Sequence, residues 1–196
     1  MTEHLGLVPH LVEREDRADG TILLRSGHAL GPVAQSTGVW LDHWAAVAPD
    51  RTFLAERSGA GWRTLSFGAA QQRVRRLAAG LLDRAPAGPI LILSGNSIDH
   101  ALLTLAAQYV GLVTVPVAEQ YSLIPAARDR LRYVVDLVRP GLVYADDAAA
   151  YATAFDIAGC PALCSDPNGT AATPLHLLEQ DGDVAAAHGT VGPDTV

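Results

Sequence analysis

"ILILSGNSIDHALLTLAAQYVGLVTVPV", residues 90–117, decides the fold. An unbroken apolar run from Ile90 to Leu93 meets the turn Ser94-Gly95-Asn96-Ser97. A helical pattern follows from Ile98 to Val110, and Leu112–Val117 is a second apolar run. A strand that is apolar at every position belongs to a sheet covered on both faces. Gly111 stands where a helix ends in the left-handed conformation that glycine tolerates best. The stretch reads as strand, helix, strand, the unit from which parallel sheets are built.

Nucleotide sites share this outline, so the turn has to be weighed. Holding an anion at a helix start takes free backbone N–H groups and, as a rule, glycines for close approach. Only Gly95 precedes this helix, and neither G-x-G-x-x-G nor the Walker pattern occurs. Asn96 or Ser97 can cap the helix and use up a donor. Asp99, in the first turn, suits the helix dipole but repels phosphate. The turn therefore reads as structural. Gln35-Ser36-Thr37-Gly38-Val39 has a similar flavour, but no strand runs into it and no lysine follows, so Ser36 or Thr37 reads as a helix cap.

Outward from this unit the alternation continues. Residues 1–20 read as a polar, irregular arm, and residues 21–27 as a short strand. Residues 36–50 form a helix with Trp40, Trp44 and Val47 at helical spacing, stopped by Pro49. "TFLAER" and "WRTLSF" flank "SGAG" as a β-hairpin. Residues 66–84 are an amphipathic helix with Ala70, Val74, Leu77, Ala78, Leu81 and Leu82 on one face and Gln72, Arg73, Arg75 and Arg76 on the other. Burying its leucines and valine contributes roughly 1.5–3 kcal/mol each. Beyond Val117 follow a helix over 124–141, a strand at "LVYA", a helix over 146–159 and a strand at "PALCS". From Asp166 the chain turns polar and Gly/Ala-rich, with one short helix at "PLHLLEQ" and a linker beyond. The fold class is α/β, a mainly parallel sheet flanked by helices, with an arm (1–20), a subdomain (21–165) and a tail (166–196).

Composition narrows the function. The 196 residues are 49% hydrophobic and 18% charged, a globular balance. A net charge of -7 gives no footprint for nucleic acid; the clusters Arg73, Arg75, Arg76 and Arg128, Arg130, Arg132 read as solvated helix faces. All basic residues are arginine, which excludes any mechanism needing a lysine within this sequence. Two cysteines make no disulfide framework, the N-terminus has no apolar signal core, and the apolar runs fall short of a membrane span. A soluble cytoplasmic protein with no membrane partner is expected.

No catalytic or metal-binding set assembles. The seven histidines are scattered; His43 and His100 each follow an aspartate, but helix neighbours do not face each other. No G-x-S-x-G elbow is present. Cys160 and Cys164 would need two more zinc ligands, for which only His176 and His188 offer, and they read as buried strand cysteines. The substrate-side candidates are Tyr121 and Ser122, just past the strand "LVTVPV", where ligands of open α/β sheets bind. The same residues can equally belong to a loop that caps the sheet edge.

In order, "APDRTFLAER", "GWRTLSFGAAQQRVRRLAAGLLDR" and "PILILSGNSIDHALLTLAAQYVGLVTVPV" resemble the N-terminal part of adenylate-forming acyl- and aryl-CoA ligases. "QYSL", "LRYVVDLVRPGLVYADD" and the tail "GTVGPDTV" extend the resemblance to feruloyl-CoA synthases, over about Leu23–Val196. The resemblance implies ATP, Mg and CoA as co-substrates and cofactor, an aryl carboxylic acid such as a hydroxycinnamate as substrate, and an acyl-adenylate intermediate. That family's phosphate loop, aromatic adenine motif, acidic ribose-binding residue and lid lysine match no position here. The expectation is a ligase fragment, inactive alone. The alternatives are a split-enzyme or interaction module that pairs with a complementary ligase half or its own copy, and a flavodoxin-like nucleotide-binding domain.

Overall fold

The computed structural model describes residues 9–195. They gather into two compact units, one ending at Val33 and one starting at Ala34. His4 and the first eight residues of the expected arm lie outside the described residues.

The first unit is a hairpin of β1 (Val12–Asp16) and β2 (Ile22–Ser26), paired antiparallel with Glu15 opposite Leu23. The irregular arm is thus corrected: residues 12–16 are a strand. Charge alternation hides it from a hydrophobic pattern, and Gly20, at φ +85°, makes the turn. Arg25 reaches across to Glu15 at 2.9 Å.

The second unit begins with α1 (Thr37–Val47), which buries Gly38 and Leu41. Trp40, Trp44 and Val47 hold their helical spacing but lie exposed. Ser36 stands at the cap position without a side-chain bond. Next come β3 (Thr52–Ser58) and β4 (Gly61–Ser66), paired antiparallel around Gly59, which takes the positive φ such a tight loop needs. Ser66 caps α2 (Phe67–Arg84). Its apolar face is buried as expected except Leu82, which is exposed. Arg73 departs from the solvated face: its guanidinium pairs with Glu179 at 2.7 Å and lies 3.5 Å from Asp99.

Then follow β5 (Ile90–Ile92), α3 (Ile98–Tyr109), β6 (Thr114–Pro116), α4 (Gln120–Leu123), α5 (Arg128–Val138), β7 (Leu142–Asp147), α6 (Ala152–Ala158), β8 (Ala162–Asp166), β9 (Thr173–Pro174) and α7 (Ala185–Thr190). The last five strands form one parallel sheet in the order β6-β5-β7-β8-β9. The parallel α/β architecture read from the sequence is what the chain adopts. Both edge strands carry a proline, Pro116 and Pro174, where a missing N–H costs least.

Strand alternation splits the core. Ile90, Ile92, Leu142, Tyr144 and Leu163 face α2 and α3. Leu91, Leu93, Val143 and Ala145 face the side of α5 and α6, with Leu131 and Tyr151. These strands are buried on both faces, which is why they read as continuous apolar runs.

The tail differs most from expectation. Residues 166–195 are folded against the sheet and helices. Leu175 and Leu178, on a short 3₁₀ turn, are buried, as are Val184 and Val191 on either side of α7. His188 stacks on Tyr109 with ring centroids 3.9 Å apart, and its Nδ1–H donates to the Tyr109 carbonyl. The Gln35 side-chain amide donates to the Val191 carbonyl at 2.9 Å. The helix expected over 146–159 is shorter too. Asp147 continues β7, and its carboxylate accepts from the amides of Ala149 and Ala150 before α6 begins.

Candidate functional site

The strand order places a topological switch between β5 and β7: the chain leaves β5 toward β6 on one side and returns to β7 on the other. Beyond the carboxyl ends of these strands lies the crevice where open α/β sheets bind ligands. Ser94–Ser97, Glu119 and Ala148–Tyr151 follow the strands there, and Asp146 and Asp147 end β7.

The start of α3 is already occupied. Ser97 Oγ accepts from the His100 amide at 3.0 Å, and the Ile98 amide donates to Glu56 Oε2 at 2.6 Å. Glu56 comes from β3, and its other oxygen accepts from Arg63 Nε. His100 turns back, donating Nδ1–H to the Gly95 carbonyl at 3.0 Å. The turn is thus closed by capping, chiefly by a carboxylate 42 residues away in sequence. Ser97, not Asn96, is the cap.

Behind the turn runs a proton-ordered chain. Ser165 Oγ donates to Asp99 Oδ2 at 2.7 Å, so the Tyr144 hydroxyl must donate to Ser165, also at 2.7 Å. Burial pushes the Tyr144 phenol up to about 12, with Asp99 and Asp146 adding to the rise. This network joins α3, β7 and β8 at the crevice, and sequence alone does not bring its members together. Asp42 is likewise paired away from His43: it accepts from the Tyr109 hydroxyl at 2.8 Å and from Gln71 at 2.7 Å. Burial, then Asp42, pushes Tyr109 up to about 12.

Tyr121 and Ser122 lie on α4, past the edge strand β6 and one strand removed from the switch point. The expected loop is a single helical turn. Tyr121 is half-buried against the α5–α6 side of the core, and the Arg130 guanidinium sits 5.4 Å from its ring centroid. Ser122 is buried, and its hydroxyl has no partner among the described residues, as is also true of Ser94 just after β5. Glu119, just before them, packs its carboxylate close to Gly95 and contributes to a strongly raised Tyr151 phenol, whose main cause is burial.

These residues do not fit a triphosphate. The foremost amide of α3 is bonded to Glu56, Asp99 stands in its first turn, Glu119 follows β6, and Asp146 and Asp147 end β7. The sequence holds no lysine to offset them. Cys164 is buried on β8 and Cys160 is half-buried after α6; burial raises both thiols, which disfavours the thiolate. Among the described residues no cluster of three metal-ligating side chains occurs, and no helix is long and apolar enough to cross a membrane.

The model of AMP-binding enzymes matches residues 41–187, well over half the chain. The chain belongs to the AMP-binding enzyme family. No curated protein matches it. Among solved structures it is similar to a protein of Rhodopseudomonas palustris described as a long-chain-fatty-acid CoA ligase. The TM-score is 0.62 at 21% identity, covering 76% of this chain and 37% of that one. A benzoate CoA ligase of Burkholderia xenovorans gives 0.56 at 22% identity, covering 77% and 30%. A luciferase-like enzyme of the mealworm Zophobas morio gives 0.61 at 16% identity, covering 83% and 37%. At these identities the likeness establishes the fold. This member of the family spans about a third of the length of those structures.

Proposed function

We propose that the chain is the N-terminal part of an AMP-forming aryl-acid CoA ligase that takes a hydroxycinnamate such as ferulate. The observation that carries this reading is the family match over residues 41–187. The ordered motifs from Leu23 onward support the aryl, feruloyl-type end of the family, and the benzoate CoA ligase among its structural neighbours agrees with that chemistry.

In this reading ATP, Mg and CoA are the reaction's other participants; one neighbour, a fatty acyl-adenylate ligase, was solved with acyl adenylate and pyrophosphate. This chain supplies the scaffold. Tyr121 and Ser122 wall the acid's path at the carboxyl edge of the sheet, and groups outside this sequence hold the triphosphate. Its two free cysteines suit a reducing, cytoplasmic setting. Labelled-pyrophosphate exchange into ATP tests the proposal, with ferulate, benzoate and a long-chain fatty acid as substrates. The chain alone is expected to give no exchange. Joined to a ligase remainder that carries the phosphate loop and lysine, it should give exchange favouring ferulate. Robust exchange by the chain alone, or a preference for the fatty acid, overturns it.

A second reading rests on α1. Trp40 and Trp44 are 63% and 41% exposed on one stripe with Val47, and such a patch marks an interaction face. As a pairing module the chain would dock a complementary ligase half or its own copy there. Light scattering tests this: a Trp40-dependent dimer supports it, and a clean monomer with no partner in pull-downs removes it.

A further inference from the structure

Between β3 and the first turns of α3 lies a groove of about 460 Å³. Phe53, Leu54, Ile98, Ala101 and Leu105 give it apolar walls. Phe53 is held in place by stacking on Phe67, with centroids 4.5 Å apart. Two polar side chains on the lining are committed. Both Glu56 oxygens accept bonds from within the protein, and Ser97 Oγ caps the helix.

The Asn96 side-chain amide and Thr104 Oγ1 are without bonds among the described residues, and so is one ring nitrogen of His100. Its Nδ1 faces a carbonyl, which can only accept, so Nδ1 carries the proton and the neutral ring presents Nε2 as an acceptor. Nε2 has no partner among the described residues and is not among the solvent-sealed atoms. Thr104 Oγ1, in the same wall, is buried with no partner among the described residues; a helical threonine has two accessible χ1 wells, so an occupant can relieve it. No arginine lines the groove, and Glu56 places a negative charge at its edge.

This chemistry selects the occupant. A carboxylate or phosphate finds no cation and meets Glu56. An imidazole acceptor beside apolar walls, with only neutral polar neighbours in Asn96 and Thr104, suits an uncharged donor on an apolar body, and the stacked Phe53 favours a flat ring. We propose that the groove binds a neutral phenol, with its ring against Phe53, Leu54 and Leu105 and its hydroxyl donating to His100 Nε2. The proposal rests on the groove alone and not on the ligase reading.

Two-dimensional NMR of the full chain tests it, with p-cresol and benzoate as probes. p-Cresol should shift the His100 ring and the Ala101 and Leu105 amides saturably, with Kd on the order of 1 mM, as fits a ligand of few atoms. Benzoate should not. Ala101→Phe fills the groove from α3 and should abolish saturation while circular dichroism stays unchanged. His100→Phe should weaken binding at least about fivefold, the loss of one hydrogen bond. Absence of a saturable p-cresol response, an equal response to benzoate, undiminished binding in folded Ala101→Phe, or unchanged affinity in His100→Phe each overturns the proposal.

Discussion

Gly80→Ala should destabilise the protein, although alanine is the better helix former. Gly80 lies inside α2, where replacing glycine by alanine ordinarily gains about 0.5–1 kcal/mol. Here a Cβ would overlap the Leu178 carbonyl oxygen and lie 2.9 Å from its carbonyl carbon. Both obstacles are backbone, so no rotamer change relieves them. The segment 175–180 would have to retreat, and it is fixed at several points. Leu175 and Leu178 are buried, Gln180 bonds the Arg76 and Ala79 carbonyls, and Glu179 pairs with Arg73. Overpacking of this kind costs about 1–3 kcal/mol. Partial exposure of the two leucines, each worth roughly 1.5–3 kcal/mol when fully buried, adds to that. After the propensity gain, a net loss of about 1–3 kcal/mol is expected. Gly189→Ala is the control: Gly189 is also helical, but a Cβ there meets nothing within 4 Å. That variant should be neutral or gain up to about 1 kcal/mol. Urea unfolding reads both as a change in midpoint at constant slope. A Gly80→Ala variant at least as stable as the parent would refute the packing of residues 175–180 on α2.

Three further outcomes follow. Glu56→Ala removes the partner of the Ile98 amide and should cost about 0.5–2 kcal/mol, the worth of a helix cap, read by urea unfolding and by faster amide exchange at Ile98. Stability should fall as pH rises from about 10 to about 12. The Tyr109 and Tyr144 phenols are raised in the fold, so the unfolded chain loses its protons first; Tyr144→Phe should make that decline shallower in pH-dependent denaturation. His188→Ala removes the ring that stacks on Tyr109 and bonds its carbonyl; proteolysis should cut residues 184–195 sooner while the sheet core stays protected.

The sheet was legible in the sequence because its strands are buried on both faces. Ile90–Ile92 and Leu142–Ala145 cannot be amphipathic, and their continuous apolar runs say so. The helix starting at Ile98 was equally plain, with Ser97 before it and Gly111 after it. The tail was not, because its buried residues come singly: Leu175, Leu178, Val184 and Val191 are spaced among Gly, Ala and Asp without a period. In α1 the period was right, but it does not say which face is buried: Gly38 packs against Tyr109 and His188 while the tryptophans stay outside. The site was least legible. The Glu56–Ile98 cap and the Tyr144–Ser165–Asp99 chain join residues 21 to 66 positions apart, and no local pattern records them. Tyr121 and Ser122 were proposed from their place after a strand, and that strand is the sheet edge, as the alternative reading of a loop capping the edge had it.

The central claim is that the turn Ser94–Ser97 shapes the fold and does not hold a nucleotide. Titrating the isotopically labelled chain with Mg·ATP, while following the amides of Gly95 to His100, tests it most directly. The account predicts no saturable shift at any of them, because Glu56 and Ser97 already hold the helix start. Saturable shifts centred on Gly95, Asn96 and Ile98 would contradict it.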